Sequence, residues 1–207
     1  MKQRLINAIM SKCIEKLLNK QGTFPLLLQG GYEDIFSKLL FLYGFQNNSD
    51  LISQWNRIDL ASFNGNGLTN IVEFGHQFSL QFVNSHNSAL GKLKSDGKKR
   101  RTPNTVNSNF YAVQIITDVI SLNKSILQTE WGKFYSNRYG INSSIGNRKK
   151  ATDHIKNIIN AIDVWNSNSK FNITGTHLYI PVRNQSGEIV VNFIINGPYN
   201  YNQRLTF

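Results

Sequence analysis

The feature that most constrains this chain is a strand–turn–strand pattern over residues 57–76. Residues 57–63 alternate about Ile58 and Leu60, as one face of a half-buried strand would. The next four residues, 64–67, read Asn-Gly-Asn-Gly, which is the composition of a tight hairpin turn. In residues 70–76, side chains again alternate between the two faces of a predicted strand. The pattern therefore predicts an antiparallel hairpin.

Three further segments predict strands. The run 110–120 is almost continuously apolar and rich in Val and Ile, which favours a buried strand, with a helix as the alternative. Residues 176–183 and 188–196 predict a second hairpin around the turn 184–187. Apolar residues at helical spacing, together with capping signals, predict helices over 5–18, 33–45, 51–55, 77–94, 125–138 and 148–165.

This order of elements predicts an α/β fold, with a mixed central sheet flanked by helices. A length of 207 residues suits a single domain. Within it we expect a helical N-terminal part over 1–56, a central core over 57–122, and helices plus the C-terminal hairpin over 123–207.

The net charge of +11 indicates a polyanionic partner. The excess of Lys and Arg is present in both halves of the chain, and a field of this sign attracts the phosphates of DNA, with RNA as the alternative. Acidic membranes and acidic proteins are the other classes of partner. We expect phosphate contacts from two basic runs, which are Lys98, Lys99, Arg100 and Arg101, and Arg148, Lys149 and Lys150.

Several classes of site and location are disfavoured by the sequence. Cys13 is the only cysteine, so neither an intramolecular disulfide nor a Cys-based zinc site is expected. The glycine pairs lack the surroundings of a phosphate-binding loop or a dinucleotide fingerprint. No segment approaches the roughly 20 apolar residues of a membrane span, and no signal peptide is apparent, so we expect a cytoplasmic protein.

The predicted hairpin carries two acidic residues that can share one face. The turn brings Asp59 opposite Glu73, and facing side chains of paired strands lie roughly 5 Å apart. Like charges held this close favour a neutralising cation. Carboxylate oxygens suit Mg²⁺ or Mn²⁺, which could then activate water and stabilise a phosphate. The alternative is two carboxylates on a solvated face of the hairpin.

The segment resembles the core of the PD-(D/E)XK nuclease superfamily, which includes restriction endonucleases. The resemblance rests on a helix, a strand with Asp59, a turn, a strand reading Ile71-Val72-Glu73-Phe74-Gly75-His76-Gln77, a further helix and a buried strand, over about residues 30–122. It implies a restriction-endonuclease-like core in which Asp59 and Glu73 hold Mg²⁺ and cut DNA.

The resemblance also has departures. Ile58 precedes Asp59 where the family has Pro, and Gly75 stands where the family has the Lys that orients the attacking water. His76 would point to the opposite face of a regular strand, unless a bulge at Gly75 returned it. The remaining candidates for the site are Gln77 and Gln81, at the start of the next predicted helix, and Glu33, a possible third acid.

Three hypotheses follow from these residues. The first is a metal-dependent DNA endonuclease, of restriction or anti-phage type, acting as a homodimer on a two-fold DNA site. The second is a catalytically inactive nucleic-acid-binding module on the same fold, for which Gly75 would mark the lost chemistry. The third is a basic structural or interaction protein.

Overall fold

Six strands and one short helix can be bounded in this chain. The strands are β1 (Leu51–Trp55), β2 (Ile58–Asn64), β3 (Gly67–Phe78), β4 (Asn109–Leu122), β5 (Thr176–Asn184) and β6 (Gly187–Asn200), and the helix is α1 (Lys124–Leu127). The structure is a computed structural model that describes residues 3, 6, 7, 36–38, 40, 42, 51–55, 58–65, 67–78, 108–130, 132–134, 156, 160, 176–185 and 187–200.

The six strands form one mixed sheet in the order β1-β2-β3-β4-β6-β5. β1, β2 and β3 are an antiparallel meander, β4 runs parallel to β3, and β6 is antiparallel to both β4 and β5. β4 thus joins an N-terminal meander to a C-terminal hairpin. The sheet curls into a half-barrel, as expected for long strands with a right-handed twist.

β4 lies at the centre of the sheet and is buried on both faces. All ten residues from 110 to 119 are buried, which explains why this stretch reads as an apolar run without alternation. Both of its edges are paired over most of its length, with β3 on one side and β6 on the other.

One face of the sheet, which we call the core face, carries the main hydrophobic cluster. Leu60 of β2, Val72 of β3 and Phe193 of β6 belong to this cluster. Phe36 packs on it from a helical position, with its ring centroid 5.1 Å from that of Phe193 in an edge-to-face arrangement. Aromatic pairs of this geometry stabilise a core beyond the area that they bury.

The strand predictions are largely confirmed. Both hairpins form, since β2 pairs with β3 and β5 with β6, and the run 110–120 is a strand and not a helix. The first turn contains Gly65 at a φ of +57°, a left-handed conformation that glycine adopts without steric cost.

The predicted fold class is wrong. Among the residues that the structure describes, strands predominate and helices are few and short, so the protein is not an α/β sheet flanked by helices. Residues 51–55, predicted as a helix, form β1, because their backbone pairs with β2. Residues 77 and 78, expected to begin a helix, extend β3 and remain paired with β4.

Several predicted helices are seen in part. Residues 3, 6, 7, 36–38, 40 and 42 are helical, as are 156 and 160. The prediction for 125–138 corresponds to α1 and to helical residues at 130 and 132–134. Within the described ranges, no helix is long and apolar enough to cross a membrane.

The first testable prediction concerns the core contact. Phe193→Ala should lower the free energy of unfolding by about 3–5 kcal/mol, because it removes a fully buried ring and its contact with Phe36. Phe134→Ala is the matched control, since 56% of Phe134 is exposed, and it should change stability little. Urea unfolding of both variants measures the difference, and equal losses would contradict this account of the core.

Candidate functional site

The two acidic residues predicted to form a site lie on adjacent strands, β2 and β3. Leu60 pairs with Val72, and both point into the core cluster. Because side chains alternate along a strand, Asp59 and Glu73 are on the opposite face. We call this second side of the sheet the polar face. Glu73 is only 2% exposed and Asp59 is half-buried, so the pair does not lie on a freely solvated surface.

The carboxylate of Asp59 is held by the backbone of β3. Its Oδ2 accepts a hydrogen bond of 2.8 Å from the Phe74 N–H, the amide that follows Glu73. Ser37, which is buried and helical, donates its hydroxyl to the Asp59 carbonyl. The first contact ties the Asp59 side chain to the backbone of β3, and the second holds the backbone of Asp59 itself. A backbone N–H stabilises the charged form of a carboxylate that accepts from it.

The pair fits a divalent cation of the magnesium type. Mg²⁺ is commonly bound through one or two carboxylates, with water and substrate phosphates completing its octahedron. In the described part of the chain, no group of three or more His, Cys, Asp and Glu residues is placed to hold a metal. A divalent cation at this pair would therefore need further ligands from water or substrate.

His76 is not brought to the two acids. The pairing of β3 with β4 continues without a shift from residue 70 to residue 78, so the bulge considered at Gly75 is absent from β3. His76 points to the core face, where its Nε2 lies 3.1 Å from the Thr117 hydroxyl and its ring packs edge-to-face on Phe78. Burial lowers the pKa of His76 from 6.5 to about 4, so this side chain is neutral at physiological pH.

Gln77 shares the polar face with Glu73 but lies four residues further along β3. At about 3.3 Å per residue, this separates their Cα atoms by about 13 Å. A glutamine side chain does not bridge that distance alone. The structure therefore places Gln77 at the margin of the site.

Gln114 lies beside the position that lacks a lysine. It is the β4 partner of Gly75, so its side chain extends on the polar face next to a residue that has no side chain. Gln114 is 1% exposed, and its Nε2 donates a long hydrogen bond of 3.4 Å to the Ile115 carbonyl. The sequence pattern was not used to predict this residue. An amide within an apolar run was a usable signal, because buried polar groups need partners.

A second buried amide stands in register with Glu73. Glu73 pairs with Ala112 of β4, and Ala112 pairs with Asn196 of β6. Paired residues share a face, so a row runs Glu73, Ala112, Asn196 across three strands, with a methyl group at its centre. Asn196 is fully buried. It too was missed, and it too interrupts an apolar segment.

The other predicted site residues cannot be placed. Those outside the described residues are Glu33, Gln81, Lys98, Lys99, Arg100, Arg101, Arg148, Lys149 and Lys150. Among the described residues, the candidates that share the polar face near Glu73 are Asp59, Gln114 and Asn196.

Comparison of the chain with protein-family models, with curated proteins and with solved structures gave no match.

The second testable prediction concerns His76. His76→Gln removes the titrating ring but keeps a hydrogen-bonding group for Thr117. Because the folded-state pKa of His76 lies below its unfolded value, the unfolded chain gains the proton first as the pH falls from about 6.5 to 4. The wild type should lose up to about 3 kcal/mol of stability over this window.

The variant should lose correspondingly less stability over the same range in urea unfolding. Parallel stability curves for the two proteins would contradict the buried, neutral assignment of His76.

Proposed function

We propose that this protein is a metal-dependent endonuclease that hydrolyses phosphodiester bonds in DNA. The observation that carries the proposal is the placement of Asp59 and Glu73 on one face of adjacent strands, with Asp59 tied to the backbone next to Glu73. The two side chains share a face on which Glu73 is buried and Asp59 is half-buried, and carboxylate oxygens are the ligands that a small divalent cation accepts.

In the proposed mechanism, Asp59 and Glu73 would hold Mg²⁺ or Mn²⁺ through their carboxylate oxygens. A bound cation supplies positive charge that stabilises the phosphate as negative charge builds up on its oxygens. Hydrolysis forms a bond between a water oxygen and phosphorus, breaks one P–O ester bond, and leaves a proton on the departing oxygen. We assign the orientation of the attacking water to Gln114, because its amide lies beside Gly75, where the resemblance expects a lysine.

The partner is proposed from charge. A net charge of +11 attracts DNA, and it predicts an affinity that falls as salt is raised. Cutting both strands of a duplex requires two such sites, so the homodimer stays part of the proposal, as does a restriction or anti-phage role.

The third testable prediction is the central test of the proposed function. Asp59→Asn and Glu73→Gln should each abolish cutting of supercoiled plasmid in Mg²⁺ or Mn²⁺, because the amide replacements remove the negative charge that holds the cation. They should also abolish the protection by Mn²⁺ against thermal unfolding. Asp59→Asn should fold, since the side-chain oxygen that it retains can still accept from the Phe74 N–H, and Glu73→Gln is nearly isosteric with the wild type. A cooperative melting transition of each variant without metal checks that it folds.

Glu130→Gln is the matched control, because it makes the same chemical change at an exposed glutamate of the described surface. It should cut and bind metal as the wild type does. Undiminished cutting by Asp59→Asn or Glu73→Gln would exclude the proposed site.

The fourth testable prediction compares the two glutamines. Gln114→Leu should lower kcat by about 100-fold, the usual effect of losing one polar group that acts in the transition state, with a smaller change in duplex affinity. Gln77→Leu provides the comparison on β3. A larger loss of kcat in Gln77→Leu than in Gln114→Leu would return the water-orienting role to Gln77.

One observation favours a second candidate function. Gly75 has no side chain and His76 faces the core, so neither residue supplies a cationic group at the position where the resemblance expects a lysine. A nucleic-acid-binding module without catalysis would fit this arrangement. Salt-sensitive DNA binding without cleavage, unchanged in Asp59→Asn and Glu73→Gln, would support the binding module over the nuclease.

A further inference from the structure

Asn196 presents an unusual polar group in the middle of the sheet. The residue is fully buried, and neither its Oδ1 nor its Nδ2 makes a hydrogen bond within the part of the chain that the structure describes. A buried amide without partners destabilises a fold. A ligand that supplies the missing hydrogen-bond partners would offset this cost and would explain why the amide is tolerated here.

The position of Asn196 indicates where that ligand lies. Glu73, Ala112 and Asn196 are successive register partners across β3, β4 and β6, so their side chains share the polar face. The Cα atoms of Glu73 and Asn196 are about 10 Å apart, at two inter-strand spacings. Only the methyl group of Ala112 stands between them in this row, so the two buried side chains lie on the same face of the sheet.

The backbone beside Asn196 is shaped by a bulge. Phe110 pairs with Tyr199 and Ala112 with Asn196, so β6 places two residues opposite the single residue Tyr111. Gly197 occupies this bulge at a φ of +121°, and a Cβ there would lie 2.6 Å from the Phe110 carbonyl oxygen. β-Bulges re-aim neighbouring side chains and are frequent beside active sites.

We infer that the Asn196 carboxamide binds a phosphate oxygen of the nucleic acid held at Asp59 and Glu73, with Nδ2 donating the hydrogen bond. The inference rests on the proposed function and extends it by naming a third strand of the site. An amide suits this place because it binds the phosphate without adding a cation beside the metal carboxylates.

The test uses Asn196→Leu, an apolar replacement of similar size. Without ligand, its melting temperature should equal or exceed that of the wild type, because the unpartnered amide is gone. Plasmid cleavage should fall about 100-fold in kcat. Inorganic phosphate should raise the melting temperature of the wild type relative to chloride, but not that of the variant. Protection by Mn²⁺ should persist, because Asp59 and Glu73 are intact.

Asn192→Leu is the matched control, on the same strand and the same face, four residues away. It should keep both the cleavage rate and the phosphate effect of any molecules that fold. Equal cleavage by wild type and Asn196→Leu would overturn the inference while leaving the nuclease in place.

The phosphate experiment distinguishes failure of the proposed nuclease function from failure of the proposed role of Asn196. If the wild type cuts no DNA, the proposed function fails, and the loss of phosphate stabilisation in Asn196→Leu alone would identify a site for free phosphate. Equal stabilisation of both proteins by phosphate would overturn the role of Asn196. Fluorescence anisotropy with a short labelled duplex at fixed salt tests binding of nucleic acid separately from binding of free phosphate. The affinity for the duplex should fall in Asn196→Leu and stay unchanged in Asn192→Leu.

Discussion

The pairing of β4 with strands on both of its sides is the constraint on which the rest of the structure depends. β3 joins it in parallel and β6 in antiparallel orientation, and each ladder continues over most of the strand. Without β4, the meander of β1–β3 and the hairpin of β5 and β6 would be separate ribbons. The same registers decide which side chains face one another, because a shift of one residue would send Gln114 to the opposite face. Fold and candidate site therefore depend on the same hydrogen-bond ladders.

Local patterns were enough to predict the strands that pair with their sequence neighbours. The hairpin of β2 and β3 was predictable because its alternation and its turn lie within one short segment, and the same holds for β5 and β6. β1 was not predictable, because Leu-Ile-Ser-Gln-Trp fits both a helical and a strand period. Its pairing with β2 decides the conformation. The predicted α/β fold class was wrong for a related reason. The end of β3 was assigned to a helix, although its pairing with β4 extends it as a strand.

The candidate site divides in the same way, into residues that local sequence predicts and residues that depend on the pairing of distant strands. Asp59 and Glu73 could be found from sequence, because they lie on the two strands of one hairpin. Their exact register could not, since the turn pairs Phe63 with Leu68 and a register shift between Ser62 and Phe63 is needed to place Leu60 opposite Val72. The face of His76 also followed from alternation, and only the absence of a bulge had to be seen. Gln114 and Asn196 could not be assigned to the site, because their distance from Glu73 depends on registers between segments far apart in the chain. Their polarity within apolar strands was visible in the sequence, but it did not indicate where in the fold they lie.

Anomalous diffraction would show directly whether Asp59 and Glu73 together bind one metal ion, as we propose. Crystals grown with Mn²⁺ would be measured near the manganese absorption edge. We expect one strong anomalous peak on the polar face, with an oxygen of each carboxylate at about 2.1 Å from it, the distance typical of a small divalent cation. A map without a peak between the two carboxylates, or with manganese bound elsewhere on the chain, would contradict the account.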